Sequence, residues 1–362
     1  FITYYADNAE RFLAGEQVRS SSLLSLPKRL SKTYHPYPVV GLITPWNFPI
    51  TLFLMDAAPA LAAGCAVLAK SSEETPLTCA RVVEGWHEIG APPVLAHVVG
   101  AGEAGASVVD AADFVQFTGS TATGRAVAIR CAEHLKPVSL ELGGKDPAIV
   151  LEDADLARAV EGIAWGGLFN AGQVCISVER VYVVAEIYDE FVARLTQRVR
   201  SLAQGAATGD DVGAMVTARQ VEIADRHVSQ AVAAGARVLA GGTRSAVGNY
   251  YAPTVLVGVD HTMACMTEET FGPTIPVMLV ADEDEAIRLA NDSAYGLSAT
   301  VWTRDHARAQ RIAKRLDAGA VNINDVFSNL FATTLPHSGW KASGIGARLG
   351  GAYGLHKYCR VQ

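Results

Sequence analysis

Apolar positions along the first part of the chain alternate between short continuous runs and longer segments with a helical repeat. The short runs predict buried strands at Val39–Thr44, Ala66–Ala69, Val94–Val99, Phe114–Phe117 and Val138–Leu140. The helical repeat predicts helices between them at Pro76–Ile89, Glu103–Val109 and Thr121–His134. Alternation of this kind predicts βαβ units and a parallel sheet covered on both faces.

A second series of the same type begins near Pro147. Its strands are predicted at Ala148–Leu151, Val181–Val184, Val238–Ala240, Ile275–Val280, Ala299–Trp302 and Ala320–Ile323. Its helices are predicted at Asp155–Phe169, Tyr188–Gln204, Thr217–Ala234, Asp284–Asn291 and Asp305–Leu316. The segment from Ser20 to Pro38 has no helical repeat and contains Pro27, Pro36 and Pro38.

Length and charge limit the classes of function. A chain of 362 residues is long enough for two domains with separate cores. The net charge of −7 is spread along the sequence without a basic cluster, so we expect no nucleic-acid partner. The longest apolar run, Ala57–Ala69, is short and interrupted by Pro59 and Gly64, so we expect no membrane partner.

The six cysteines form no C-x-x-C pair, and their spacing suggests neither zinc nor a disulfide framework. We therefore expect a cytoplasmic location. The histidines form no H-x-x-x-H or H-E-x-x-H pattern, so we expect no metal site.

Cys175 is the candidate nucleophile. An isolated cysteine is more often a buried structural residue. Here Gly172 allows close approach of the backbone to a ligand, and Gln173 and Ser177 make the surroundings partly polar. A helix start or backbone N–H groups at this point would favour the reactive thiolate.

Glu141 ends a predicted strand and is followed by Leu142, Gly143 and Gly144. An apolar turn is an unfavourable place for a charge without a function, although a capping or surface carboxylate is the ordinary alternative. Burial would raise its pKa and make it a general base.

Two turns carry further candidates. Asn47 lies between prolines, where an isolated Asn is usually a turn residue. The stretch Gly119–Gly124 follows a strand and opens a helix, which is a possible pyrophosphate site, although it is not the G-x-G-x-x-G pattern.

Five stretches occur in one order: Pro45–Pro49, Phe117–Ser120, Glu141–Lys145, Phe169–Ser177 and Glu268–Pro273. In these residues the chain resembles the NAD(P)-dependent aldehyde dehydrogenase superfamily, and the resemblance extends from about Tyr4 to Tyr358. It implies an α/β fold with a Rossmann-type cofactor domain and an α/β catalytic domain. It also implies that the N-terminal part of the cofactor domain is missing from this chain.

The resemblance divides the chain into three parts. Residues 1–17 and 37–143 would form the NAD-binding domain, and residues 144–342 the catalytic domain. Residues 18–36 and 343–362 would form oligomerisation and bridging segments, which implies a homodimer or homotetramer.

The resemblance also implies residue roles. Cys175 would attack the aldehyde substrate, Asn47 would stabilise the resulting oxyanion, and Glu141 would activate water to hydrolyse the thioester. Lys70 and Glu73 would bind the adenosine ribose, and a carboxylate at Glu73 favours NAD over NADP. The remaining cofactor candidates are Gly119, Ser120, Thr44, Trp46 and Leu142, with Glu269 and Phe271 at the nicotinamide end.

The chain departs from the family pattern at two positions. Many relatives have Lys or Gln where Asp56 stands, and His337 replaces an aromatic residue of the substrate tunnel. The stretch around Cys175 most resembles the succinate-semialdehyde and broad-specificity branch. Two alternatives remain: an enzyme that transfers the acyl group to coenzyme A, and a non-catalytic scaffold with the same fold.

Overall fold

The computed structural model describes residues 1–362. Its α-helices are α1 (Ile2–Leu13), α2 (Pro49–Ala62), α3 (Pro76–Glu88), α4 (Gly102–Ala111), α5 (Thr121–Glu133), α6 (Leu156–Leu168), α7 (Tyr188–Arg200), α8 (Ala218–Ala233), α9 (Ala264–Thr267), α10 (Glu283–Asn291), α11 (His306–Ala313), α12 (Ser328–Phe331) and α13 (Ala352–His356). Short 3-10 helices cover Phe169–Gly172 and Ala185–Ile187.

The strands are β1 (Glu16–Val18), β2 (Leu30–Lys32), β3 (Tyr34–Pro36), β4 (Val39–Ile43), β5 (Ala66–Lys70), β6 (Leu95–Val98), β7 (Phe114–Thr118), β8 (Val138–Glu141), β9 (Asp146–Val150), β10 (Val178–Val184), β11 (Arg237–Ala240), β12 (Thr254–Val257), β13 (Thr274–Val280), β14 (Tyr295–Gly296), β15 (Ser298–Trp302), β16 (Ala320–Ile323), β17 (Pro336–His337), β18 (Trp340–Lys341), β19 (Gly344–Ile345), β20 (Arg348–Leu349) and β21 (Cys359–Val361).

The chain forms two compact units. The first unit comprises Phe1–Glu141, Ala332–His337 and Ile345–Gln362, and the second comprises Leu142–Phe331 and Ser338–Gly344. The predicted assignment of cofactor, catalytic and oligomerisation segments stays a prediction.

The first unit contains the predicted parallel sheet, in the order β8-β7-β4-β5-β6. Helices α3, α4 and α5 connect its strands, as the alternating pattern predicted. Its core is built from buried apolar residues of α1, α2, the sheet and the C-terminal segment, including Tyr5, Phe53, Val67, Phe114 and Tyr358.

Helix starts in this unit follow local chemistry. Pro49 and Pro76 occupy the first turns of α2 and α3, where a missing N–H costs nothing. Ser120 caps α5 by accepting a hydrogen bond from the Thr123 N–H.

Three helices of the first unit, α1, α2 and the short α13, were not predicted. Helix α2 is mainly apolar, with Phe53, Met55, Ala57 and Ala60 all at most 1% exposed, so it has no polar face to reveal a helical repeat. Helix α1 lies at the start of the chain and buries only Tyr5 fully.

The second unit contains a sheet in the order β11-β12-β13-β10-β9-β15-β16. All neighbours are parallel except β11 and β12. Strand β12 was not predicted, and the antiparallel edge departs from the predicted parallel series. Carboxylate or hydroxyl caps start four of its helices, at Asp155, Thr217, Asp282 and Asp305.

Two helices of the second unit end earlier in the structure than the sequence predicted. Helix α7 ends at Arg200 rather than Gln204, because the Asp211 carboxylate accepts from the Ala203 N–H and draws the chain into a turn. Helix α11 ends at Ala313 rather than Leu316.

None of the helices combines the length and apolar character that crossing a bilayer requires. No three His, Cys, Asp or Glu side chains are grouped in a way that could hold a metal ion.

Candidate active site

Cys175 lies in the turn between the 3-10 helix Phe169–Gly172 and strand β10. It is the one cysteine of the six that is not buried, while its neighbours Val174 and Ile176 are buried. No helix begins at Cys175, so the turn, and not a helix start, presents the thiol. A partly exposed thiol on a fixed turn is the environment expected of a reactive cysteine.

Two glycines make this turn possible. Gly172 has φ +71°, and a Cβ there would collide with the Gly272 carbonyl oxygen. A Cβ at Gly144 would collide with the carbonyl oxygen of Cys175 itself. The backbones of three separate segments therefore approach each other closely around the thiol in the second unit.

Glu269 belongs to one of these segments. Its Oε1 accepts a hydrogen bond from the Gly144 N–H at 3.0 Å. Burial and, to a smaller extent, the charge of Glu179 raise the pKa of Glu269 to about 8. Phe271 follows with a left-handed backbone at φ +51°. The two predicted nicotinamide residues thus lie in the segment that packs against the Cys175 turn.

A buried ion pair fixes this segment. Lys145 Nζ donates to Glu179 Oε2 at 2.6 Å and to Thr270 Oγ1 at 3.1 Å. The Glu179 carboxylate accepts from the backbone N–H groups of Thr270 and Phe271, both at 2.8 Å. The two side chains are 0% and 4% exposed. We did not single out Lys145 or Glu179 from the sequence; the available signal was the pair of charged residues Glu179 and Arg180 at the start of the buried strand β10.

Glu141 ends strand β8 in the first unit and is 3% exposed. Its Oε1 accepts no hydrogen bond from the protein. Burial raises the pKa of Glu141 to about 7, against the lowering effects of Arg348 and Lys357. The carboxylate is therefore buried, as the apolar turn predicted, and titrates where a general base works best.

His337 lies with its Nε2 3.7 Å from Glu141 Oε2. The side chain is buried, which lowers its pKa to about 4 and keeps the imidazole neutral near pH 7. The sequence indicated an altered tunnel wall at His337, and the structure places this side chain beside the candidate base.

Asn47 and Trp46 lie in the turn between β4 and α2, and both are half-buried. Thr44 precedes them, and its N–H donates to the Lys70 carbonyl at 3.0 Å, which joins the ends of β4 and β5. Leu142 is the first residue of the second unit, and its N–H donates a hydrogen bond to the Ser343 carbonyl at 2.9 Å.

A cavity of about 480 Å³ lies beside the carboxyl ends of the sheet strands in the first unit. This volume is in the range of small-molecule sites. Its lining is mostly apolar and includes Ile43, Lys70, Gly105, Val109, Phe117 and Val127. Ser120 caps the adjacent helix α5, and Gly119 precedes it. The cavity and this helix start fit the adenosine part of a dinucleotide, because parallel sheets bind such ligands at their carboxyl edge.

Lys70 and Glu73 pair with each other at the rim of this region. Lys70 Nζ donates to Glu73 Oε2 at 2.9 Å, and the Glu73 side chain is half exposed. Lys70 lowers the pKa of Glu73, so the carboxylate is ionised at neutral pH.

A nucleotide-sized cavity on a parallel sheet, an accessible thiol and a buried carboxylate of raised pKa are features expected of a cofactor-dependent enzyme. Comparison with known proteins gives the family. The family model described as "Aldehyde dehydrogenase family" matches residues 1–362. The chain belongs to the aldehyde dehydrogenase family.

Three similar proteins illustrate this membership. The 4,4'-diapolycopene aldehyde oxidase of Methylomonas sp is 44% identical over 98% of this chain and 67% of its own length. The glutarate-semialdehyde dehydrogenase of Pseudomonas putida is 39% identical over 100% of this chain and 75% of its own. The crystal structure of Mycobacterium tuberculosis aldehyde dehydrogenase complexed with NAD+ is 36% identical, with a TM-score of 0.94, over 99% of this chain and 74% of that one.

Family membership confirms the predicted fold class and the predicted reaction class. The chain is an oxidoreductase that oxidises aldehydes with NAD(P).

Proposed function

We propose that Cys175 is the nucleophile of this oxidation. The single observation that carries the proposal is the placement of the thiol: it is the one accessible cysteine, on a turn fixed by Gly144 and Gly172. The Cys175 thiolate forms a C–S bond to the aldehyde carbon, and the carbonyl electrons move to its oxygen. The Asn47 side-chain amide donates a hydrogen bond to that developing oxyanion.

A bound nicotinamide cofactor would supply the hydride acceptor for oxidation of the thiohemiacetal on Cys175 to a thioester. Glu141 then takes a proton from water while the water oxygen attacks the thioester carbon. The C–S bond breaks, the thiolate of Cys175 leaves, and the carboxylic acid is released. The buried carboxylate with a pKa of about 7 supports this role, because it is half ionised at neutral pH.

The residues that the family pattern marks for the cofactor would hold it. Lys70 and Glu73 bind the adenosine ribose, and Gly119 and Ser120 bind the pyrophosphate at the start of α5. Thr44, Trp46 and Leu142 contribute further contacts, and Glu269 and Phe271 hold the nicotinamide end.

NAD is the preferred cofactor. An ionised Glu73 repels a 2′-phosphate and accepts from a 2′-hydroxyl. Because the structure pairs Glu73 with Lys70, the lysine offers a competing positive charge. One similar structure is complexed with NAD+, and another is described as an NADP dependent enzyme.

The product is a free acid rather than a coenzyme A thioester. The support is again Glu141, since a transferase that passes the acyl group to a thiol needs no base for water. Oxidation of an aldehyde panel, with and without coenzyme A, tests this by mass spectrometry of the products. Acyl-coenzyme A as the main product contradicts the hydrolytic function.

The nucleophile is tested with Cys175→Ala, which we expect to lose dehydrogenase turnover and keep cofactor binding. Cys265→Ala, a change at a buried cysteine of the same unit, is the matched control and keeps turnover. Turnover of Cys175→Ala within about tenfold of the parent contradicts covalent catalysis by Cys175.

The substrate and the assembly are finer proposals. We place the enzyme in the succinate-semialdehyde and broad-specificity branch, on the sequence around Cys175. We also propose a homodimer or homotetramer, supported by the apolar side chains of Leu23, Leu24 and Leu26, which are 85%, 88% and 63% exposed within segment 18–36. A cytoplasmic location stays a prediction from the cysteine spacing.

A further inference from the structure

Glu141 has two neighbours in the first unit, Thr118 and His337, and each of them also neighbours Arg348. Thr118 lies opposite Glu141 in the register of β7 and β8. The Thr118 hydroxyl accepts a hydrogen bond from Arg348 Nη2. Arg348 lies opposite His337 in the register of β17 and β20. The His337 Nε2 atom lies 3.7 Å from Glu141 Oε2. Arg348 is therefore connected to Glu141 by two routes, one through Thr118 and one through His337.

Arg348 is itself held by a carboxylate from helix α2. Its Nε donates to Asp56 Oδ1 at 3.0 Å, and its Nη2 donates to Asp56 Oδ2 at 2.6 Å. Asp56 is fully buried and Arg348 is 2% exposed. Such a two-point pair fixes both side chains in one geometry.

A second cation completes the cluster. Lys357 Nζ lies 3.8 Å from Asp56 Oδ1 and donates to Gln116 Oε1 at 2.7 Å and to the Ala347 carbonyl at 3.1 Å. Its side chain is 8% exposed. Burial lowers the pKa of Lys357 to about 8, with Asp56 acting in the opposite direction, so the amine is still mostly charged at neutral pH.

The charges that act on Glu141 in this unit are those of Arg348 on β20, Lys357 after α13 and Asp56 on α2. His337 on β17 lies beside the carboxylate, and the Tyr358 hydroxyl lies 3.5 Å from Asp56 Oδ1. His337 and Tyr358 are neutral near pH 7, because burial lowers the pKa of the former and raises that of the latter. The remaining groups are two cations and, with Glu141, two carboxylates. The buried cluster is electrically neutral only when Glu141 is ionised.

We propose that Lys357, together with the Asp56–Arg348 pair, is a positioning group that keeps Glu141 in the ionised form in which it can accept a proton from water. Asp56, Arg348 and Lys357 form a buried charged cluster beside Glu141. The net charge of this cluster influences how readily Glu141 loses its proton. The inference rests on the proposed function only for its catalytic consequence; the ionisation of Glu141 can be measured without substrate.

The test uses three variants of the full chain. Lys357→Met removes a cation and should raise the titration midpoint of Glu141 by about one pH unit. Asp56→Asn removes an anion and should lower the midpoint. The double variant restores the net charge and should return the midpoint close to that of the parent.

The midpoint is read by pH-dependent infrared spectroscopy of the carboxyl band, assigned to Glu141 by its loss in Glu141→Gln. Circular dichroism checks that each variant is folded. Lys357→Gln, which keeps a donor for Gln116 and Ala347, replaces Lys357→Met if the latter does not fold. If Asp56→Asn does not fold, the lysine variant alone decides.

An unchanged or lowered midpoint in the lysine variant overturns the proposal. So do shifts of both single variants in the same direction, or a Glu141 band that does not titrate near neutral pH. The pH profile of acyl-enzyme hydrolysis is measured in the same variants. If the infrared midpoints move as expected and the hydrolysis profile does not follow, Glu141 is not the base, and the cluster inference stands by itself.

Discussion

The pH dependence of product release is the sharpest kinetic consequence of the structure. Burial raises the pKa of Glu141 from its ordinary value of 4.5 to about 7. A carboxylate of that pKa is about one-tenth ionised at pH 6 and about nine-tenths ionised at pH 8. Hydrolysis of the acyl-enzyme should therefore rise about tenfold between these two pH values. An exposed glutamate would already be almost fully ionised at pH 6 and would give a nearly flat profile.

The assay is stopped-flow detection of NADH with an aldehyde for which hydrolysis limits turnover. The first turnover appears as a burst, and the following steady rate reports hydrolysis. Glu141→Gln should retain the burst and lose both the steady rate and its pH dependence. Glu222→Gln, a change at an exposed glutamate, is the matched control and should follow the parent. A steady rate that stays flat from pH 6 to pH 8 in the parent would refute the assignment of a raised pKa to the base.

Two further predictions concern the other assigned residues. Asn47→Ala should slow the burst by about a hundredfold, because that is the usual effect of losing one oxyanion donor. Aldehyde affinity should change less. An unchanged burst rate would show that Asn47 has no part in the mechanism. Glu73→Ser should raise the efficiency with NADP relative to NAD, because it removes the charge that repels a 2′-phosphate; a parent that already prefers NADP shows that Lys70 dominates the ribose site.

Much of the fold follows from local pattern. Strands β4 to β9 are short apolar runs bounded by turns, and their predicted positions differ from the structure by one or two residues. The same argument failed for α2. A helix that is buried on nearly all sides has no alternation of apolar and polar positions, so only Pro49 at its start marked it. Strand β12 was also missed, although Thr254–Val257 is as long as the predicted strands β6 and β8.

The candidate site also combines features that the local sequence predicted with features that it did not. The burial of Glu141 was predictable, because an apolar, glycine-flanked turn surrounds it in sequence. The contacts that surround its side chain were not, because Asp56 comes from α2 and His337, Arg348 and Lys357 come from the C-terminal part of the chain, all far from Glu141 in sequence. Asp56 and His337 were noted only as departures from the family pattern. A carboxylate in an apolar segment requires a buried partner, but nothing local indicates which cation supplies it.

The central claim is that one cysteine carries the acyl group and one carboxylate releases it. Intact-protein mass spectrometry of Glu141→Gln after reaction with aldehyde and NAD tests this most directly. We predict a stable adduct with the mass of one acyl group, located on Cys175 by peptide mapping and absent from the Glu141→Gln/Cys175→Ala double variant. An adduct on another residue, or steady formation of acid by Glu141→Gln at the parent's rate with no adduct, contradicts it.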